Sequence, residues 1–145
     1  MSLETDPLAL LRGINAQAAF NRFFAISVDE AGPGLAQISM PWREEAGQYA
    51  GFLHAGLVGA LIDTACGFAA ATVAGRVLAA QYSVNCLRPA VGQRFIARAE
   101  VVKPGKTLVF TRCTLHAEQS GNRVLVATGE TLLTPVPAAP AAPAG

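Results

Sequence analysis

Two side chains in the run FLHAGLVGALIDTACG carry most of the chemistry within reach of this chain: His54 near its start and Asp63 near its centre. A carboxylate inside an apolar run is penalised by several kcal/mol unless something compensates. It is either a structural acid, satisfied by Thr64 or a nearby backbone N–H, or a group held ready as general base or nucleophile. His54 and Asp63 stand nine residues apart, which on one helix is roughly 13 Å of rise and about half a rotation. They cannot both touch one reacting atom within a single chain. Two copies packed antiparallel about a two-fold axis would bring the start of one helix to the middle of the other.

The bulk composition fits a chain that buries surface against a partner. Of 145 residues 52% are hydrophobic and only 14% charged, with a formal net charge of +1. A single domain of this length has much surface to solvate, so low charge points to a homo-oligomer. No basic cluster or patch marks a nucleic-acid or acidic-membrane partner. Cys66, Cys86 and Cys113 are an odd set without C-x-x-C spacing, and His54 and His116 lie far from any cysteine. A disulfide framework and a zinc site are therefore not expected, and reduced thiols in a cytoplasmic protein are the simplest reading. The start, MSLETDPLALLRG, lacks the long apolar core of a signal peptide. Residues 52–73 are long and apolar enough to suggest a membrane span, but Asp63 near the centre and the absence of a basic flank argue against one.

Several elements must position these groups. DPLALLRGINAQAAFNRFF reads as helix, with Asp6 as N-cap and Pro7 at the first helical position; Gly13 weakens its middle and suggests a break there. FAISVDEAGPGLAQISMPW gives two alternating runs around the turn AGPG, and REEAGQYAG reads as a loop. The apolar run from His54 to about Val73 is too long for a strand and reads as a helix, enclosed by the rest of the fold because it is apolar nearly all round. Four antiparallel strands follow, punctuated by LRP, KPGK and SGN. Within one of them Val109, Thr111, Cys113 and Leu115 share a face, opposite Leu108, Phe110, Arg112 and His116. A curved sheet wrapped around a long central helix satisfies this order, an α+β fold in one domain over residues 1–134. Residues 135–145, PVPAAPAAPAG, read as an extended, unpacked tail.

The order G-F-L-H-A-G, A-L-I-D-T-A and G, followed by L-R-P-A and V-V-K-P-G-K-T, resembles the hotdog-fold acyl-CoA thioesterases, most closely the phenylacetate-pathway branch. The likeness spans residues 31–134. In that branch the helix begins His-Gly-Gly, with an Asp nine residues after the His; His54, Gly56 and Asp63 match, while Ala55 replaces the first Gly. Gln48 stands where the branch commonly has Asn, six residues before the His, and is closer to a related branch that uses Glu.

The resemblance implies a dimer, commonly a dimer of dimers, with two sites across the interface. Ala55 and Gly56 would offer free N–H groups to the thioester oxygen, with His54 holding the loop or donating as well. Asp63 of the other subunit would act as general base on water or as nucleophile through an anhydride, and Gln48 would orient the water or the carboxylate. The implied substrate is a small or medium acyl-CoA, with an aromatic acyl group among the options, and no metal or redox cofactor is implied. Ser83 and Asn85 share the face of a strand expected to line the acyl pocket. Arg88, Lys103 and Lys106 are cations beside turns, suited either to coenzyme A phosphates or to plain solvation. Tyr82 and Phe68 read as core. A non-catalytic acyl-CoA-binding protein and a hotdog hydratase or dehydratase remain as alternatives.

Overall fold

A computed structural model of the protein describes residues 5–137. Asp6 caps the first helix, α1 (Pro7–Gln17), by accepting a hydrogen bond from the Leu8 amide at 3.3 Å. Helix α2 (Ala19–Phe23) follows. The break lies at Ala18, in extended backbone (φ −88°, ψ 115°), and not at Gly13, which stays inside α1. Asn15 explains the position. Its side-chain amide donates to the Ile26 carbonyl at 2.8 Å and its oxygen accepts from buried Asn21 at 2.9 Å, so the chain must turn just after it. An interior glycine costs a helix only about 1 kcal/mol, which these bonds and the buried Leu11 offset.

Strands β1 (Ser27–Gly32) and β2 (Leu35–Pro41) form the expected hairpin. A short 3₁₀ turn (Glu44–Ala46) leads to helix α3 (Ala55–Ala74), followed by β3 (Val77–Cys86), β4 (Arg94–Lys103), β5 (Val109–Gln119) and β6 (Asn122–Pro135). The six strands form one antiparallel sheet in the order β1-β2-β4-β5-β6-β3. It curves around α3 as a hotdog fold.

The period-two reading of β5 holds: Val109, Thr111, Cys113 and Leu115 are all buried. They join Ile38 and Met40 of β2, Phe95 and Ala97 of β4, and Leu61, Ile62, Ala65 and Ala69 of α3 in one apolar cluster. Helix and sheet pack tightly at Gly129 of β6. A Cβ there would lie 2.7 Å from the Ile62 side chain and 2.7 Å from the Ser83 carbonyl oxygen, so only glycine fits.

Enclosure of α3 is incomplete. One sheet covers one side of a helix, and here it covers Val58, Leu61, Ile62, Ala65, Cys66, Phe68 and Ala69. The other side carries Ala60, Asp63, Thr64, Gly67 and Ala71, each only half-buried. By length and apolarity α3 could cross a bilayer, yet half of it is packed inside the fold.

Strand β3 is also open. Among the described residues it lies at the sheet edge with β6 as its one partner, and nearly all of it is exposed, including Leu78 at 65%. Pro135 still pairs with Val77 across β6 and β3, so the sheet takes in the first residue of the segment read as a tail. Residues 138–145 lie outside the described residues.

Candidate active site

The loop before α3 is held by its own backbone. The Gln48 amide donates to the Phe52 carbonyl (2.8 Å), Leu53 to Ala90 (3.0 Å) and His54 to Ala46 (2.9 Å). The loop of residues 47–54 is thereby fixed between the 3₁₀ turn and the segment entering β4. His54 is the N-cap of α3, with extended backbone (φ −60°, ψ 137°), and its Nδ1 accepts the Gly56 amide hydrogen at 2.8 Å. Its carbonyl accepts from Leu57 and Val58.

This cap decides two things. An imidazole nitrogen that accepts a hydrogen bond carries a lone pair, so a neutral His54 must hold its proton on Nε2, available as a donor. It also occupies the Gly56 amide, which the family resemblance had assigned to the thioester oxygen. The Ala55 N–H has no acceptor among the described residues, and Ala55 itself is exposed at the helix start. The free donors are thus the Ala55 N–H and the His54 Nε2–H, at the positive end of the helix dipole.

They border a cleft of about 420 Å³, lined also by Gln48, Tyr49, Phe52 and Arg88. The Gln48 side-chain oxygen accepts from the Ala50 amide and so braces its own loop. Cys86 lines the same cleft, a neighbour that sequence spacing gave no reason to expect. Cys66 and Cys113 are buried, and the Cys113 thiol is held far above its usual range by the adjacent Cys66 sulfur and by burial.

Asp63 is absent from that cleft. It lies two and a half turns along α3, on the uncovered side, with no side-chain hydrogen bond or ion pair among the described residues. Burial, with nothing to offset it, pushes its carboxyl above the ordinary aspartate range. The structural reading, in which Thr64 or a backbone N–H satisfies the acid, finds no such bond.

The remaining candidates scatter. Asn85 lies on the sheet face away from α3, where its amide is 3.4 Å from the Thr128 hydroxyl, in a separate cleft of about 320 Å³ with Arg98, Glu100 and Arg112. Ser83, two residues before it, shares that face, whereas Val84 packs toward the core under the helix. Lys103 and Lys106 are exposed at the β4–β5 turn. They sit at the end of β4 opposite Arg94, about 30 Å along the strand. Of the three cations expected to meet phosphates, Arg88 alone lines the His54 cleft. Phe68 is core at 8% exposure, but Tyr82 is 51% exposed, with its ring against Gly59 of α3. No group of three His, Cys, Asp or Glu side chains suited to a metal occurs among the described residues.

Comparison with known proteins is consistent across sequence and structure. The family model of the Thioesterase superfamily matches residues 50–123. A Halobacterium salinarum protein provisionally named an esterase is 33% identical over 111 residues, covering 71% of this chain and 73% of its own length. The crystal structure of a thioesterase family protein from Silicibacter pomeroyi aligns with a TM-score of 0.85 at 36% identity, over 89% of this chain and 97% of that one. The E. coli protein of the phenylacetic acid degradation operon shares the fold at a TM-score of 0.78 and 20% identity, over 90% and 96% of the two chains.

Proposed function

The chain belongs to the thioesterase superfamily, and from that premise we propose that it hydrolyses a small or medium acyl-CoA to the free acid and coenzyme A, in sites shared between two copies of the chain. Membership supports thioester hydrolysis in general; the coenzyme A carrier, the acyl class and the shared site are the proposal. One observation carries it. Asp63 is half-buried, unpartnered and on the open side of α3, while the unused N–H of Ala55 lies ~12 Å away along the same helix. Neither group has a use within its own chain. The exposed apolar edge of β3 and the uncovered side of α3 support a two-fold neighbour that joins them.

In this mechanism the thioester oxygen of the substrate accepts from the Ala55 N–H and the His54 Nε2–H. Each such donor is worth about 2.7–4 kcal/mol once negative charge develops on that oxygen. Asp63 of the second copy removes a proton from water as it attacks the carbonyl carbon. The C–S bond then breaks, and the departing sulfur takes up the proton that Asp63 removed from water and leaves as the coenzyme A thiol. Direct attack by the Asp63 carboxylate, giving an anhydride that water opens, uses the same geometry. The first route is favoured here because burial raises the basicity of Asp63. Gln48 orients the water, and Arg88 meets coenzyme A phosphates at the cleft mouth. No metal or redox cofactor takes part. The working form is a dimer or dimer of dimers, in the cytosol.

The test is a panel of acyl-CoA substrates read by free-thiol release, run on the wild type, on His54→Ala, on Asp63→Asn and on the two variants mixed after dissociation and reassociation. Each variant alone is nearly inactive. Random reassociation makes half of the dimers mixed, each with one intact site, so about a quarter of the wild-type rate returns. No recovery on mixing overturns the shared site, and no thiol release from any acyl-CoA overturns the substrate class.

A further inference from the structure

We propose that Tyr82 is the wall of the acyl pocket beside Asp63 and sets the size of acyl group that the protein accepts, an inference that rests on the thioesterase reading above. The geometry begins at Gly59. A Cβ built there would stand 3.1 Å from Tyr82 Cε2, tighter than side chains ordinarily pack, and 3.5 Å from its Oη, in ordinary contact. The tyrosine ring therefore fills the space that a side chain at position 59 would take.

Gly59 and Asp63 are four residues apart on α3 and lie one above the other on the same face. Helical side chains lean toward the helix N-terminus, so the Asp63 carboxyl extends back over the turn that contains Gly59. The ring of Tyr82, packed at Gly59, therefore stands beside the turn of α3 over which the group that would activate the attacking water leans. It reaches there from β3, whose inner face also presents half-buried Val84 to the core. Tyr82 stays about half exposed in the single chain, so the ring borders open space and is not a core filler.

A carbonyl placed for attack near Asp63 has its first acyl carbons within reach of this ring. A rigid ring at that depth leaves room for a short or flat acyl group and blocks a long flexible one. The phenol oxygen is not required for such a role, which separates a steric wall from a hydrogen-bonding contribution to chemistry.

The test compares kcat/KM for butanoyl-, octanoyl- and phenylacetyl-CoA in wild type, Tyr82→Ala, Tyr82→Leu and Tyr82→Phe. Loss of the ring is expected to raise the octanoyl-to-butanoyl ratio at least ~10-fold, on the scale of a few methylenes admitted to an apolar pocket. Tyr82→Phe is expected to keep the wild-type ranking. Gly59→Ala, which pushes the ring outward by a few tenths of an ångström, is expected to move the ratio in the opposite direction. The same chain-length series is also measured as binding of non-hydrolysable acyl-CoA thioethers by calorimetry. A protein that binds the series with a ranking shifted by Tyr82→Ala, yet releases no thiol, keeps the wall and loses the hydrolase reading. Ratios within twofold of wild type in both Tyr82→Ala and Tyr82→Leu, by turnover and by binding, overturn the wall, and the hydrolase reading survives if thiol is still released.

Discussion

Replacing Asp63 by Asn should move activity and stability in opposite directions. Asparagine keeps the size of the side chain and removes its charge and its basicity. General-base catalysis contributes about 10²–10⁴ in rate, or ~2.7–5.4 kcal/mol at ~1.36 kcal/mol per tenfold, so kcat should fall at least 100-fold. Stability should rise at pH 7, because the variant no longer holds an unpartnered charge in a half-buried position. Solvent screening of the half-buried carboxyl limits the expected gain to at most about 1 kcal/mol, roughly 2–4 °C in Tm for a chain of this size. The pH dependence has a definite sign. Burial raises the folded-state pKa above the unfolded value, so the native state binds the proton more tightly. Wild-type stability should therefore decline as pH rises from the ordinary aspartate range through the raised pKa, and Asp63→Asn should flatten that decline. Wild-type kcat should climb over the same interval as the base becomes ionised. The assay pairs thiol-release kinetics with thermal melts at a series of pH values. A variant as active as wild type refutes the catalytic role. A variant that melts lower at pH 7 refutes the claim that Asp63 lacks a partner.

Three further substitutions probe the elements that carry the site. His54→Ala should lower stability by about 0.5–2 kcal/mol by leaving the Gly56 amide without its acceptor, whereas His54→Asn should restore the melt and not the rate, which separates capping from chemistry in paired melts and thiol assays. Leu78→Lys places a charge on the exposed edge strand and should shift sedimentation toward the single chain, with thiol release falling in parallel. Gly129→Ala drives a methyl against Ile62 and the Ser83 carbonyl and should destabilise by about 1–3 kcal/mol in denaturant titrations, since a backbone atom cannot give way as a side chain can.

Much of the architecture was legible because it follows from periodicity. The alternation in TLVFTRCTLHA gave the buried face of β5, and the long, mostly apolar run gave α3. His54 could be placed at the helix start, but its use of Nδ1 to cap Gly56 could not be read, since that depends on a rotamer. Ser83 and Asn85 were correctly put on one face. Which face looks toward the helix was not legible, because a bulge between Ala79 and Gln81 shifts the phase of β3. Tyr82 was misread as core for a related reason. Its type and neighbours fit an interior strand, and only the sheet order reveals that β3 is an edge. The helical break was misplaced at Gly13 because local propensity was outweighed by the tertiary bonds of Asn15.

The sheet order also governs how the molecule must be made. β3 emerges directly after the central helix, yet its sole neighbour in the fold, β6, arrives only after β4 and β5. A growing chain therefore carries a sticky ribbon with nothing to zip onto while two more strands are synthesised. Such long-separated pairing slows collapse to the native topology. Refolding should accordingly be rate-limited by a unimolecular closure of this late seam, with the second-order meeting of subunits following it.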